Sequence, residues 1–258
     1  MTTRDTPWAP GTPCWVDHMS TDGDAARAFY SGLFGWTAEA GPPEAGGYTV
    51  ATIDGHAAAG IMAEAELPHP SVWTTYLATD NAAETCEKIT AAGGTLLQPA
   101  FDVMDVGIMA VAQDPTGAIF GIWQSKLHTG FGIANEPGSV IWNEVVTRDI
   151  AAAKAFYVSV FGYTFTEFEG MGGYNSIEVD GTGVGGLGGI PDSWPAQTPA
   201  HWRTYFNVAN CDESTEKAVA LGATVTMPPT DMPYGRHADL IDPNGAVFAL
   251  LQNPPSAE

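Results

Sequence analysis

Basic residues are scarce. Nine Lys and Arg stand against 30 Asp and Glu in 258 residues, a formal net charge of −21. Binding nucleic acid or an anionic membrane needs clustered cations to displace counterions, and no such cluster occurs, so both partner classes are disfavoured. Cysteine is equally sparse. Cys14, Cys86 and Cys211 share no close spacing, and the odd count argues against a disulfide framework and against a CxxC metal or redox site. No apolar run approaches the length of a membrane span. The first ten residues hold one Arg and no apolar stretch, unlike a signal peptide, so the expected location is the cytoplasm. There is no GxSxG elbow, P-loop or HExxH helix. Gly181 to Gly186 spells GxGxxG but lacks a following helix, which argues against a dinucleotide site.

What is present is a repeat. Thr12 to Trp36 is echoed by Ser139 to Tyr163: Trp15 answers Trp142, Phe29-Tyr30 answers Phe156-Tyr157, and Phe34-Gly35 answers Phe161-Gly162, each pair 127 residues apart. A fixed offset over whole segments means a duplicated module. Two modules of about 125 residues are each long enough to bury a core. The boundaries expected are 10–126 and 138–253.

Within module one, residues 13–19 alternate as a strand. Helical spacing follows, with Ala26, Phe29, Tyr30, Leu33 and Phe34 on one face, Thr21 or Asp22 as cap and Gly35 as stop. Strands are expected at about 36–40, 47–53 and 57–63. The unit then recurs: a strand at Val72 to Thr79, a helix at Asn81 to Ala92, and strands near 95–98, 106–113 and 118–124, the last two joined by Asp114-Pro115-Thr116-Gly117. Module two repeats the order, with helices starting near Asp149 and Asn210 and a final turn at Asp242-Pro243-Asn244-Gly245. The fold class is α+β, four βαβββ units paired into two modules. The stretch Gly186 to Gly189 and Pro191 to Pro199 reads as a loop without a counterpart in module one.

The helix-borne AFY…FGW segment and the DPTG and DPNG turns resemble the vicinal oxygen chelate superfamily of glyoxalases, extradiol dioxygenases and bleomycin-resistance proteins. The pattern is also similar to that of two-module actinobacterial glyoxalase-like proteins related to a mycobacterial culture-filtrate antigen. The resemblance implies that each module curls its sheets into a cup. It also implies that metal-dependent members carry His, Glu or Gln on the first strand of each unit and on the last strand of the second. Carried onto this chain, those positions are Trp15 and Trp142, Trp73 and Trp202, and Gly121 and Ala249. None of these side chains ligates a metal, so the resemblance implies that both metal sites are lost and that no metal or other cofactor is used.

Indoles at vacated ligand positions offer flat stacking surfaces. Trp15, Trp73, Trp123, Trp142, Trp202 and Tyr234 are therefore the candidate ligand-binding residues. Residues two apart on a strand share a face, which sets Asp17 beside Trp15 and Glu144 beside Trp142. A carboxylate in an apolar cup suits a general base, so Glu144, Asp17 and, near them, His237 are the candidate catalytic residues. Module one has Met109 and Val111 where module two has His237 and Asp239, which favours module two as the reactive half. His18 and His201 fall out of phase with the neighbouring Trp and are expected on the helix side or in solvent. Tyr205 is a further donor.

Several readings stay open. One is a metal-independent protein binding a small hydrophobic or aromatic metabolite, for a metabolite pathway, resistance or sequestration. A second is a cofactor-free isomerase, lyase, cyclase or oxygenase with a cup carboxylate as base. A third is a divalent-metal-dependent lyase or dioxygenase, and a fourth a structural protein with inert cups. The partner expected is a small molecule, on a monomer with internal pseudo-dimer packing or on a homodimer.

Overall fold

The computed structural model describes residues 2–64, 66, 67 and 69–254. The first half runs β1 (Pro13–Ser20), α1 (Gly23–Phe34), β2 (Thr49–Ile53), β3 (His56–Ala63), β4 (Val72–Ala78), α2 (Ala82–Ala91), β5 (Thr95–Val103), β6 (Gly107–Gln113) and β7 (Ile119–Ser125). Its sheet has the order β2-β3-β1-β4-β7-β6-β5. The second half runs β8 (Val140–Thr147), α3 (Ile150–Phe161), β9 (Thr164–Glu167), β10 (Asn175–Val179), β11 (Thr182–Gly189), β12 (His201–Asn207), α4 (Cys211–Ala220), β13 (Thr224–Met232), β14 (Gly235–Ile241) and β15 (Val247–Gln252). Its sheet order is β13-β14-β15-β12-β8-β11-β10-β9. In each sheet the first strands of two βαβββ units, β1 with β4 and β8 with β12, lie antiparallel at the centre. No helix among the described residues is long and apolar enough to cross a membrane.

The helices begin and end where local chemistry directs. Asp22 caps α1 by accepting the Ala25 N–H at 2.9 Å, and Gly35 ends it in the left-handed region at φ 76°. Asn81, Asp149 and Asn210 cap the other three. Two local expectations are corrected. Residues 36–40 form no strand, only a bridge from Thr37 to Thr52. The Gly41-Pro42-Pro43 that follows cannot continue a ladder, since proline has no N–H to donate, whereas the matching segment of module two pairs as β9. Gly186 to Gly189 lie inside β11, not in a loop.

Each module leans its first helix on the other module's sheet. Phe29 and Tyr30 of α1 meet Phe248 of β15, and Tyr30 also meets Phe206 of β12; Phe156 and Tyr157 of α3 meet Phe120 of β7. The two sheets therefore pack back to back through their helix-covered faces, and the opposite, concave faces turn away from the core.

A pair of buried carboxylates crosses this seam. Asp242 closes its own DPNG turn by accepting the Asn244 and Ala246 N–H groups through Oδ1. Its Oδ2 reaches module one, accepting from Tyr30 at 2.9 Å and meeting His18 Nε2 at 2.7 Å. Asp114 does the same in reverse, holding its DPTG turn with Oδ1 and accepting from Tyr157 at 3.0 Å with Oδ2. Trp73 donates to the Tyr30 hydroxyl and Trp202 to the Tyr157 hydroxyl, each at 2.8 Å. Trp73 and Trp202 are thus corrected from cup residues to seam residues: both are buried under a helix on the convex face.

Removing a donor from a buried carboxylate typically costs about 1.5–3 kcal/mol. Tyr157 is the one side-chain donor to Asp114 Oδ2 among the described residues, whereas Asp242 keeps His18 when Tyr30 is lost. Tyr157→Phe is expected to destabilise more than Tyr30→Phe in urea denaturation; equal or reversed costs would contradict the seam. Burial pushes the Asp242 carboxyl up, but the bonds from His18, the Ala246 N–H and Tyr30 outweigh it and leave it below the usual range. A carboxyl depressed on folding stabilises at neutral pH, and that contribution is lost as pH falls through its folded-state pKa.

Candidate functional site

Alternation along β1 sends Val16 and His18 into the seam and Trp15 and Asp17 to the concave face. Residues directly opposite in a ladder share a side. Thr74 stands opposite Asp17 and Tyr76 opposite Trp15, so these two, and not Trp73, complete the floor of cup one. Gly121 lies beside Tyr76 on β7. In module two, Arg203 stands opposite Glu144, Tyr205 opposite Trp142, and Ala249 beside Tyr205.

Both cups hold the same cluster of indole, phenol and carboxylate. In cup one, Trp15 Nε1 lies 2.8 Å from both Asp17 Oδ1 and the Tyr48 hydroxyl, and Tyr48 donates to Asp17. In cup two, Trp142 Nε1 donates to the Tyr174 hydroxyl at 2.8 Å, and Tyr205 donates to Glu144 Oε1 at 2.7 Å. Glycine is required beneath each cluster. A Cβ at Gly60 would stand 2.0 Å from Asp17 and Tyr48, and one at Gly186 would stand 1.9 Å from the Tyr174 hydroxyl. Sequence reasoning passed over Tyr48 and Tyr174, although Gly46-Gly47-Tyr48 and Gly172-Gly173-Tyr174 repeat across the modules.

The cups differ in what fills them. Trp123 lies across Gly107 in cup one, where a Cβ would meet its ring at 2.2 Å, and donates to the His128 carbonyl at 2.9 Å. The connector between modules then folds over this cup, its His128 and Phe131 rings 4.4 and 5.6 Å from Trp15. In module two the ladder position of Trp123 belongs to Leu251: Met109 pairs with Trp123 and His237 with Leu251. A cavity of about 290 Å³ remains there, walled by Trp142, Tyr174, Tyr205, Tyr234 and Leu251 with Glu144 among them. The β9–β10 hairpin adds Phe168 and Met171.

Below this cavity lies a polar cluster that cup one lacks. Arg203, 6% exposed, is ion-paired with Asp239, and its Nη1 is 3.7 Å from Glu144. His237 Nε2 is 2.7 Å from Asp239 Oδ1 and 3.3 Å from Arg203 Nη2, and His237 Nδ1 is 3.2 Å from the Tyr234 hydroxyl. Burial, and then the Arg203 charge, push the His237 imidazole down to about 4. Burial, and then the Glu144 charge, push the Tyr234 phenol up to about 12 against the pull of Arg203. Glu144, Trp142, Tyr234 and His237 thus come together in module two. Asp17, Trp15 and Trp123 come together in the filled cup, away from them.

His201 is also corrected. Because Trp202 faces the seam, its neighbour faces the other way. His201 stacks on Trp194 at 6.3 Å and lies on the Arg203 side of β12. The Pro191 to Pro199 stretch brings Trp194 to this place, with Arg203 5.9 Å from its ring.

A divalent cation needs several oxygen or nitrogen donors converging on one point. Among the described residues no group of three His, Cys, Asp or Glu is so placed. In cup one the floor around Asp17 is Trp15, Thr74, Tyr76 and Gly121. In cup two the Arg203 guanidinium already stands between Glu144 and Asp239 and would repel a cation. The residues present do not fit the metal that the fold's enzymes use.

Burial raises the Asp17 carboxyl above its usual range despite the Tyr48, Tyr76 and Trp15 donors. A carboxyl raised on folding lowers stability at pH values above its folded-state pKa, and the penalty disappears as pH falls below the unfolded value. Asp17→Asn is therefore expected to raise the melting temperature at pH 7, with the gain shrinking on acidification. A variant less stable than the parent at pH 7 would show that the charged form is the favoured one.

The Glyoxalase/Bleomycin resistance protein/Dioxygenase superfamily model matches twice, over residues 15–122 and 138–250. CFP32 of Mycobacterium tuberculosis, provisionally named a glyoxylase, is 40% identical over 254 residues, spanning 95% of this chain and 96% of CFP32. The anthracycline biosynthesis protein DnrV of Streptomyces peucetius is 36% identical over 263 residues, spanning 96% of this chain and 95% of DnrV. Among solved structures, the Mn(II)-bound glyoxalase of Novosphingobium aromaticivorans superposes with a TM-score of 0.66 at 14% identity, over 94% of this chain and 82% of that one. The 2,3-dioxygenase LapB of Pseudomonas sp. KL28 gives 0.65 at 14% identity, over 99% and 97%. At such identity the two structures speak for the fold alone.

Proposed function

The chain belongs to the Glyoxalase/Bleomycin resistance protein/Dioxygenase superfamily, and we propose that it is a metal-independent member that binds one small planar aromatic molecule in the cup of module two. The observation carrying this reading is the asymmetry of the cups. The same indole–phenol–carboxylate cluster is buried under Trp123, His128 and Phe131 in one module and opens on a cavity of about 290 Å³ in the other. Rings on most sides of the cavity offer stacking surface to a flat ligand, and a few placed polar groups orient it. The donor sets of both cups support a site that works without a divalent cation. The likeness to two anthracycline biosynthesis proteins supports a fused-ring aromatic, the chemical class to which anthracyclines belong.

A probe of this class, added from dimethyl sulfoxide, is 2,6-dihydroxyanthraquinone. At ~0.3 kcal/mol for each of about 18 non-hydrogen atoms, binding near 5 kcal/mol and a Kd of order 0.1 mM are expected. The probe is expected to quench intrinsic tryptophan fluorescence at one site per chain. Leu251→Trp, which places in cup two the side chain that fills cup one, should weaken binding by about tenfold or more. Dialysis against EDTA should leave the affinity unchanged. Absent quenching, or a Leu251→Trp variant that binds as the parent does, would refute the assignment; loss of binding after EDTA would restore a metal to the site.

A further inference from the structure

The hydrogen-bond polarity of the module-two cavity follows from the groups behind it. Asp239 is held as a carboxylate by its ion pair with Arg203, and a carboxylate only accepts. His237 Nε2, 2.7 Å from Asp239 Oδ1, therefore carries the imidazole proton. Arg203 Nη2 lies 3.3 Å from the same nitrogen and is likewise a donor, so both donors converge on Asp239. At neutral pH the buried imidazole is uncharged, so Nδ1 is left with a lone pair, and the Tyr234 hydroxyl 3.2 Å away must give its proton to it. Tyr205 gives its proton to Glu144 Oε1. Tyr174 accepts the Trp142 N–H, and in the other cup Tyr48 gives its proton to Asp17.

The hydroxyl protons of Tyr234 and Tyr205 are thus committed within the protein. What Tyr234, Tyr205 and Glu144 present to the cavity is lone pairs. Arg203 lies behind Glu144 and is not part of the wall, and Asn253 adds a side-chain amide to the lining. In cup one, Val106, Met109 and Val111 occupy the places of Tyr234, His237 and Asp239, so this polarity is built only where the cavity is open.

Building on the proposed binding of an aromatic ligand, we infer that the module-two cavity selects a ligand that donates hydrogen bonds, a hydroxylated aromatic, over the same ring system bearing only acceptors. A phenolic hydroxyl finds Glu144 and the Tyr234 oxygen as acceptors. A methoxy or bare carbonyl oxygen set against Glu144 and Tyr234 meets lone pairs, and burying a polar group without a partner is unfavourable. His237 and Asp239 are positioning residues: they act by turning the Tyr234 proton inward.

The test compares 2,6-dihydroxyanthraquinone with 2,6-dimethoxyanthraquinone by calorimetry at pH 5.5, where the phenols are un-ionised. A hydrogen bond to a charged acceptor contributes about 1.5–3 kcal/mol, so the hydroxylated probe is expected to bind at least about tenfold tighter. Tyr234→Phe removes one acceptor and should narrow the preference by weakening the dihydroxy probe alone. His237→Met, which restores the module-one residue, frees the Tyr234 hydroxyl to donate and should strengthen the dimethoxy probe. A purely structural role for His237 would weaken both probes together. Melting temperatures check that each variant is folded, and Glu144→Gln offers a second route to the same narrowing. Equal or tighter binding of the dimethoxy probe to the parent protein overturns the inference and leaves the aromatic cavity standing. An unchanged preference in Tyr234→Phe, His237→Met and Glu144→Gln also overturns it. Failure of both probes to bind removes the cavity reading and the inference together.

Discussion

The architecture depends on two buried aspartates that serve two masters each. Asp114 and Asp242 saturate one oxygen on the N–H groups of their own turns and extend the other across the seam to a tyrosine of the opposite module. A buried carboxylate is costly unless hydrogen-bonded, and neither aspartate finds partners for both oxygens within its own module. This couples the turn, the first helix and the strand β4 or β12 into one polar chain, Trp to Tyr to Asp, formed once on each side of the seam. The consequence for function is orientation. With helices and convex faces committed to the seam, the concave faces are the surfaces left for ligands.

Duplication then lets one cup diverge from the other without disturbing the seam. Both keep a glycine-floored cluster of indole, phenol and carboxylate. In module one Trp123, His128 and Phe131 pack onto it, and the carboxylate becomes a buried structural acceptor. In module two the wall residue is Leu251, and the side chains at its back are charged. An open cavity forfeits dispersion contacts along its lining and is a cost to stability. Natural chains accept such costs at functional sites, and the filled twin cup is the compensating half.

The repeat made the fold legible, because matching positions 127 apart define modules whatever their chemistry. The two-residue period also set Asp17 beside Trp15 and Glu144 beside Trp142. Period alone has no absolute phase, however. Whether Trp73 or Thr74 shares the Asp17 side depends on the pairing of β4 with β1, a long-range register that no local pattern encodes. The error at Trp73 carried over to Trp202 and inverted the placement of His201. Arg203 answers a threonine in module one, and its side follows the misjudged phase of Trp202, so the repeat gives no sign of its place beside Glu144. The exchange of Trp123 for Leu251 changes one apolar residue for another on a strand, and only the packed structure shows that it helps fill one cup and open the other.

Long-range charge and local polarity act in one direction on whatever enters that cup. The chain carries −21, and Glu144 faces the cavity with the Tyr205 hydroxyl proton already turned toward it. Surface charge acts over a Debye length of about 8 Å at physiological salt, so it biases the approach of a ligand, while the lone pairs of the wall act at contact. An ionised phenol or carboxylate is opposed at both ranges. A neutral phenol is opposed at neither, and it leaves the Arg203–Asp239 pair undisturbed behind the wall. On the proposed binding, the protonation state of the ligand, and not only its shape, is part of what this cavity would read.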